Sequence, residues 1–374
     1  MLKKQWLRYL LVLVFGVLLM TGCQSIETGT TSQATTGDGI KIHFIDVDQG
    51  DSILIQSGEE TLLIDAGENN MGDRVVSYLN SLGISTLNYV IGTHPHSDHI
   101  GGLDVVINEF QVEKVILPAV GHSTKTYEDV LTAISKKGLK ITKPVVGTEY
   151  HVGDATFQII APNSKEYNDL NDYSVGIRLV YGDTSYVFAG DADAISEEEM
   201  CNNGLDISAD VLKLNHHGSS YSNNKDFIDA VSPTYAVISV GAGNSYGHPH
   251  KEVLEDMQQR GIKVYRTDYL GTIVITSDGN DITFQTGTNG VQFNGSADNV
   301  ESDEANDIES YDEETQQDVS TNDSNESTIE EVYVTTSGSK YHREGCSYLK
   351  GNYSALSLEE AVEEGYTPCS RCID

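Results

Sequence analysis

The stretch Thr93-His94-Pro95-His96-Ser97-Asp98-His99 places four potential metal ligands within six residues, in the order His, His, Asp, His. Neutral imidazoles and a carboxylate suit zinc or another borderline divalent ion. Six residues of a tight loop cannot all face one ion. Alternate residues His94 and His96 can share one centre, while Asp98 and His99 serve a second. Two ions ~3.5–4 Å apart form the arrangement that hydrolyses phosphate and acyl esters. A plainer reading is a surface histidine-rich turn that picks up metal adventitiously. Two features count against it: an apolar strand precedes the cluster and a helix follows, as at the sites of open α/β sheets, and further ligand types recur at later strand ends.

The elements that must position these residues alternate along the chain. Strand-like runs at Ile40–Val47, Ser52–Gln56 and Thr61–Ile64 are separated by turn residues. Asp73–Leu82 has helical spacing with Gly83 as its stop, Leu87–Gly92 reads as a strand, and Ile100–Phe110 as one helix. Strand Val112–Leu117, helix Tyr127–Lys137 and strand Ile141–Val146 follow. The second half repeats the theme. Strands are expected at Thr156–Ile160, Ser174–Tyr181, Thr184–Ala189, Val211–Asn215, Tyr235–Val240, Lys263–Arg266 and Thr272–Thr276. Helices are expected at Ile195–Cys201, Asn224–Val231 and His250–Arg260. This predicts an α/β layered domain over residues 38–294, built from two αβ halves.

His-x-His-x-Asp-His after a strand resembles the metallo-β-lactamase fold, an αββα sandwich. That resemblance implies roles for other positions. Asp65, in Leu63-Ile64-Asp65-Ala66-Gly67, matches the family's buried aspartate that orients the histidine loop. Asp191, in Phe188-Ala189-Gly190-Asp191, matches the carboxylate bridging both metals. His216-His217-Gly218-Ser219 matches the late histidine of the second metal. Adjacent residues at a strand end point apart, so one of His216 and His217 ligates and the other faces substrate or core. Asp46-Val47-Asp48-Gln49-Gly50-Asp51-Ser52, Asn171-Asp172-Tyr173-Ser174, Asn215-His216-His217-Gly218-Ser219 and Asn244-Ser245-Tyr246-Gly247-His248-Pro249, in this order, narrow the resemblance to the metallo-hydrolase domain of the competence protein ComEC. Asp48 departs from that pattern, which has Gly there. Many members of the wider superfamily carry a further histidine before the bridging aspartate. His122 and His151 both lack the matching context and read as solvent-facing or locally bonded residues; ComEC-like sequences have Asn-Asp-x-Ser in this region instead, and that resemblance implies that Asp172 or Ser174 lines the first metal.

The resemblance implies a site holding two divalent ions, zinc or manganese. Asp98 or Asp191 would hold the nucleophile's hydrogen bond. His248 or the non-ligating histidine of the pair would assist the leaving oxygen; the plainer reading of His248 is a helix N-terminal residue without a catalytic role. His43 and His250 read as structural, and Cys201 as a core thiol.

The ends of the chain read differently. Residues 1–23 combine a basic start (Lys3, Lys4, Arg8), a 12-residue apolar run from Tyr9 to Met20, and Met20-Thr21-Gly22-Cys23. The run is short for a membrane span and right for a secretory signal. The last four residues resemble a bacterial lipobox, which implies lipidation at Cys23 and attachment to the outer side of the cell membrane. An uncleaved anchor or a plain signal peptide are the alternatives. Residues 24–37 read as a flexible tether. Residues 295–331 hold 14 Asp and Glu with no Lys or Arg, the composition of a disordered, self-repelling linker. Beyond it, residues 332–374 form a small α+β module. His342 and Cys346, with Cys369-Ser370-Arg371-Cys372, suit a closed tetrahedral structural zinc site; a disulfide between two of the cysteines is the alternative. The module resembles the Ada-like zinc-binding modules attached to some secreted nucleases, with Leu356–Glu364 expected as a helix.

The whole chain has a formal charge of −34, and residues 38–294 alone hold 16 Lys and Arg against 36 Asp and Glu. Such acidity speaks against an extended duplex-binding groove, although bound ions and a local basic strip could capture a short single-stranded nucleic acid or a nucleotide. The leading expectation is a phosphodiester hydrolase of the nuclease type. A phosphocholine or other small-ester hydrolase acting on cell-envelope components is the enzymatic alternative, and a surface-anchored binding protein the non-enzymatic one.

Overall fold

Strands buried on both faces need apolar residues at successive positions, and the first half of the chain supplies them. The computed structural model describes residues 39–288, 291–295, 331–335, 340–342, 353–357, 361 and 366–368. Strands β1 (Ile40–Phe44), β2 (Ile53–Ser57), β3 (Glu60–Ile64), β4 (Thr86–Ile91), β5 (Gln111–Ile116) and β6 (Ile141–Thr142) are joined in one sheet by β14 (Ile273–Ser277), β15 (Ile282–Thr288) and β16 (Val291–Gly295). The order is β16-β15-β14-β1-β2-β3-β4-β5-β6. The second sheet runs from Lys263–Arg266 (β13) through Tyr235–Ile238 (β12), Val211–Lys213 (β11), Thr184–Phe188 (β10), Gly176–Tyr181 (β9) and Ala155–Ala161 (β8) to Glu149–Val152 (β7).

The alternation of side chains sorts the core into three layers. Ile53, Ile55, Leu62 and Ile64 of the first sheet meet Phe157, Ile177, Tyr186 and Phe188 of the second. Their neighbours point outward. Leu54, Leu63 and Val90 pack under the helices Gly72–Ser81, Leu103–Glu109 and Lys125–Lys136. Val187, Leu212 and Ala236 pack under Ala194–Asn202, Lys225–Val231 and Lys251–Gln259. The result is an αββα sandwich, and each fully buried Leu or Ile adds ~1.5–3 kcal/mol.

Several expected boundaries move, each for a local reason. The helix expected over Ile100–Phe110 is two helices, Ser97–Ile100 and Leu103–Glu109, broken at Gly101-Gly102. A Cβ on Gly101 would lie 2.3 Å from the Asn69 nitrogen, and one on Gly102 2.3 Å from the Ala66 oxygen, so backbone packs against backbone here. Strand β6 stops at Thr142, two residues before Pro144, which has no N–H for the ladder. The strand expected to start at Ser174 starts at Gly176, after a 3₁₀ turn at Asn171–Tyr173. Strands β7 and β15 were not expected.

Among the described residues of the C-terminal segment, β17 (Glu331–Thr335), β18 (Lys340–His342), β19 (Tyr353–Ser357) and β20 (Thr367–Pro368) form a separate sheet in the order β19-β17-β18-β20. Val332, Val334, Tyr341 and Ala361 are buried together in it. Leu356, expected in a helix, pairs with Val332 in β19. His342 is buried. Cys346, Cys369, Cys372, Cys23, the tether and nearly all of the acidic linker lie outside the described residues.

Candidate metal centre

The parallel strands β3, β4, β10, β11 and β12 deliver their C-terminal ends to one edge of the sandwich. Asp65 follows β3, the histidine loop follows β4, Asp191 follows β10, and the His216-His217 pair follows β11. Residues far apart in sequence therefore meet around Asp191 Oδ2. His99 Nε2 lies 3.0 Å from this oxygen, His217 Nε2 3.5 Å, and His94 Nε2 and His216 Nε2 3.9 Å each.

Two groups of ligand atoms can be distinguished. His94 Nε2 and His96 Nδ1 converge to 3.0 Å, near the spacing of two nitrogens sharing one ion at ~2.0–2.1 Å each. In the second group, Asp98 Oδ2 lies 3.2 Å from His217 Nε2 and 3.6 Å from His99 Nε2. Asp98, His99, Asp191 and His217 thus bring four ligand atoms within 4.8 Å of one another. The fold carries the residues of a candidate dimetal site. One helical turn, Ser97–Ile100, aims Asp98 and His99 together.

Hydrogen bonds behind the ligands fix which nitrogen each ring presents. Asp65 is fully buried. Its Oδ2 accepts from His99 Nδ1 at 2.9 Å and from the Thr93 hydroxyl at 2.6 Å, and its Oδ1 accepts the Thr93 N–H at 2.8 Å. His217 Nδ1 donates to the Ser239 carbonyl at 2.8 Å, leaving Nε2 for the cavity. Ser174 Oγ lies 3.3 Å from His94 Nδ1 and accepts the Asp191 N–H at 3.1 Å, so it touches one ligand from each group. Asp172 turns away: its Oδ1 accepts the Ser196 N–H at 3.1 Å, at the start of the helix Ala194–Asn202. Its neighbour Asn171 lines the same cavity of about 640 Å³ as His96 and Asp191, and its buried Oδ1 has no hydrogen-bond partner.

His216 and His217 both have left-handed backbone, with φ of 49° and 53°, in the tight turn Asn215–Gly218. His217 joins the second ligand group. His216 donates from Nδ1 to Asp193 at 3.1 Å, and its Nε2 faces the cavity. His248 lines the cavity as well, its ring centre 5.4 Å from that of His216, and its buried Nδ1 is unpaired. His122 lies at the cavity wall with its Nδ1 3.0 Å from the Thr124 hydroxyl, and His151 lies 3.1 Å from the Thr156 hydroxyl, outside it. His43 is buried against the Tyr78 hydroxyl at 2.9 Å, and His250 accepts the Ser220 N–H at 2.9 Å. Cys201 is half-buried.

The electrostatics call for cations. Burial alone disfavours charge on His99 and His217, yet Asp191 and Asp98 outweigh it, raising His99 well above the usual histidine range and His217 to about 10. Burial and the nearby imidazoles keep His94 and His96 low and therefore neutral. His248 is pushed down to about 3 by burial and then by His217 and His216, which leaves a neutral ring able to donate one N–H. The Oδ1 atoms of Asp191 and Asp51 are buried without hydrogen-bond partners. The carboxylates of Asp98 and Asp191, set beside the neutral imidazoles of His94 and His96, form a donor set that fits divalent ions.

Four contributors were not singled out in the sequence. Asp51 stands in the quoted Asp46–Ser52 motif without a role. Glu197 lies in the stretch Ile195–Cys201, which reads as a helix, and Asp193 just before it, neither with a role assigned. Lys213 was hidden in an apolar strand, where a lone lysine between Leu212 and Leu214 was the available signal. The departure at Asp48 is explained: its φ is 56°, a conformation that favours Gly and that Asp tolerates.

Over residues 45–242 the chain matches the family model of the metallo-beta-lactamase superfamily. It belongs to that superfamily and has its metal-dependent hydrolase fold. It is 29% identical over 299 residues to ComE operon protein 3 of Bacillus subtilis (strain 168), covering 70% of this chain and 38% of that protein. It is 30% identical over 261 residues to Competence protein ComA of Neisseria gonorrhoeae, covering 69% and 35% respectively. A third relative, Recombination protein 2 of Haemophilus influenzae, is 27% identical over 238 residues, covering 62% and 28%. The chain thus spans about a third of the length of these curated relatives.

Proposed function

We propose that the chain is a dinuclear metal-dependent phosphodiester hydrolase held on the outer side of the membrane by lipidated Cys23. The observation that carries the reading is that His94, His99 and His217 all approach Asp191 Oδ2 within 4 Å, with His96 beside His94 and Asp98 beside His99 and His217. Two divalent ions supply Lewis acidity and a water of lowered pKa, which suits phosphodiester cleavage. Relatives named for competence and recombination favour nucleic acid as the substrate.

The chain's own residues define the rest of the chemistry. Asp65 and the Ser239 carbonyl hold His99 and His217 in the tautomer that presents Nε2. Asp193 steadies His216 at the cavity wall, where its Nε2 can meet a substrate oxygen. His248 offers a neutral N–H from the opposite loop. Asn171 lines the same space, its Nδ2 donating to Asp193 at 3.3 Å and its Oδ1 unpaired.

The test is a panel assay of the chain with bis-p-nitrophenyl phosphate, single-stranded DNA, phosphocholine esters and lactams, with and without chelator. Chelator-sensitive turnover of a phosphodiester is expected, lost in His96→Ala and Asp191→Ala. Turnover confined to phosphocholine esters or lactams, or none at all, overturns the reading.

A further inference from the structure

Lys213 is fully buried beside the metal centre, and neither ligand group uses it. It is the last residue of β11. Val211 faces the space between the sheets and Leu212 faces the helices, so the strand period turns Lys213 back between the sheets, beneath the site. Its Nζ lies 2.5 Å from Asp51 Oδ2, donates to the Gly190 carbonyl at 3.1 Å, and stands 3.9 Å from Asp191 Oδ1. Asp51 in turn lies behind both imidazoles of the second ligand group, 3.7 Å from His99 Nδ1 and 3.6 Å from His217 Nδ1.

The two oxygens of Asp191 face different surroundings. All four imidazole contacts within 4 Å fall on Oδ2. Oδ1 is buried without a hydrogen-bond partner, and Lys213 is the cation that faces it. Gly190, whose carbonyl Lys213 holds, is the residue before Asp191 and sits at φ +56°. That carbonyl also accepts the His216 N–H at 3.1 Å. One ammonium therefore holds the carbonyl of the peptide that leads into Asp191 and faces the Oδ1 of its carboxylate at 3.9 Å.

We propose that Lys213 is a positioning residue that holds the Asp191 carboxylate with Oδ2 turned toward the imidazoles of both ligand groups, with Asp51 holding the ammonium in place. An unpaired buried charge is costly, which accounts for the close Asp51 partner. A purely structural pair would need only that partner. The direction of Lys213 toward the Gly190 carbonyl and Asp191 Oδ1 is what a positioning role requires. In the low-dielectric interior such a charge restrains a carboxylate rotamer far more than it would in water.

The inference rests on the dinuclear reading above, and the test separates the two. The full chain is prepared as wild type, as Lys213→Met and as the double variant Asp51→Asn/Lys213→Met, and each is loaded with cobalt(II). Bound cobalt, its visible absorption spectrum, thermal stability, and kcat and KM on bis-p-nitrophenyl phosphate are measured. The double variant removes both charges and leaves no lone buried ion, so it recovers the stability that Lys213→Met loses. Its cobalt spectrum stays altered, because Asp191 can then turn both oxygens inward. Its kcat stays roughly tenfold to a hundredfold below wild type, with KM nearly unchanged. A double variant with the wild-type spectrum and kcat overturns the positioning role. Wild-type chain that takes up no cobalt overturns the metal centre itself, and this role with it.

Discussion

His217 and His99 hold protons that bound ions must displace, and this fixes the sign of a pH dependence. His217 is raised to about 10, so at pH 7 it is protonated, and the proton leaves progressively as pH approaches 10. His99 shifts in the same direction, because Asp191 and Asp98 outweigh the cost of its burial. Metal affinity should therefore rise between pH 6 and 8, by about tenfold per pH unit for each proton displaced. Titration calorimetry in buffers of different ionisation enthalpy should record net proton release on zinc or manganese binding. Uptake without release would show that the imidazoles are already neutral. At the same scale, His217→Ala should remove about one tightly bound ion per chain, counted by metal analysis after dialysis. His216→Ala should keep both ions and lower kcat. Equal metal loss in the two variants would place His216 among the ligands.

The loops between elements carry the precision of the site, and here the sequence was least legible. The ligand cluster after β4 could be read directly, because four ligand types in six residues have few other uses. The layered α/β fold could be read from the alternation of apolar runs with amphipathic stretches. The turn that separates His216 from His217 could not. It depends on Glu197, buried in the helix Ala194–Asn202, whose carboxylate accepts the backbone N–H groups of Asn223 and Asn224 and the side-chain amides of Asn215 and Asn224 at 2.6–2.9 Å. In sequence Glu197 is one of three consecutive glutamates, of which Glu198 is exposed and Glu199 half-buried, and nothing local marks Glu197 as the buried one. Removing one acceptor from four donors should cost roughly 3 kcal/mol. Glu197→Ala is expected to lower the denaturation midpoint by a corresponding amount and to weaken metal retention, since two consecutive non-glycine residues at positive φ cost roughly 1–2 kcal/mol each and rely on such anchoring. A folded variant of wild-type stability would show that the turn holds itself. Gly190 illustrates the same limit. A Cβ there would lie 2.9 Å from Thr93 Cβ and 3.0 Å from Ser174 Oγ, at a φ of +56°. The glycine permits the close approach of two loops that sequence spacing does not reveal.

At the scale of the whole molecule, charge bears on which anionic molecules can reach the cavity. Residues 38–294 hold 36 acidic against 16 basic residues, and only a few of the acidic ones, such as Asp51, Asp65 and Asp191, are buried at the centre. The remainder form a negative field that repels a polyanion before it reaches the cavity. A nuclease with a basic groove loses affinity as salt rises, by ~10³–10⁵ between about 50 and about 200 mM for six to ten phosphate contacts. This chain should do the opposite. Salt shortens the Debye length to about 8 Å at physiological ionic strength and weakens the repulsion. For a short single-stranded oligonucleotide, kcat/KM should therefore rise severalfold over that salt range, while kcat/KM for singly charged bis-p-nitrophenyl phosphate should change little. Steady-state rates on the two substrates at matched metal concentration make the comparison. A fall in oligonucleotide kcat/KM with salt would mean that a local basic strip outweighs the acidic surface, and long strands would then belong among the substrates.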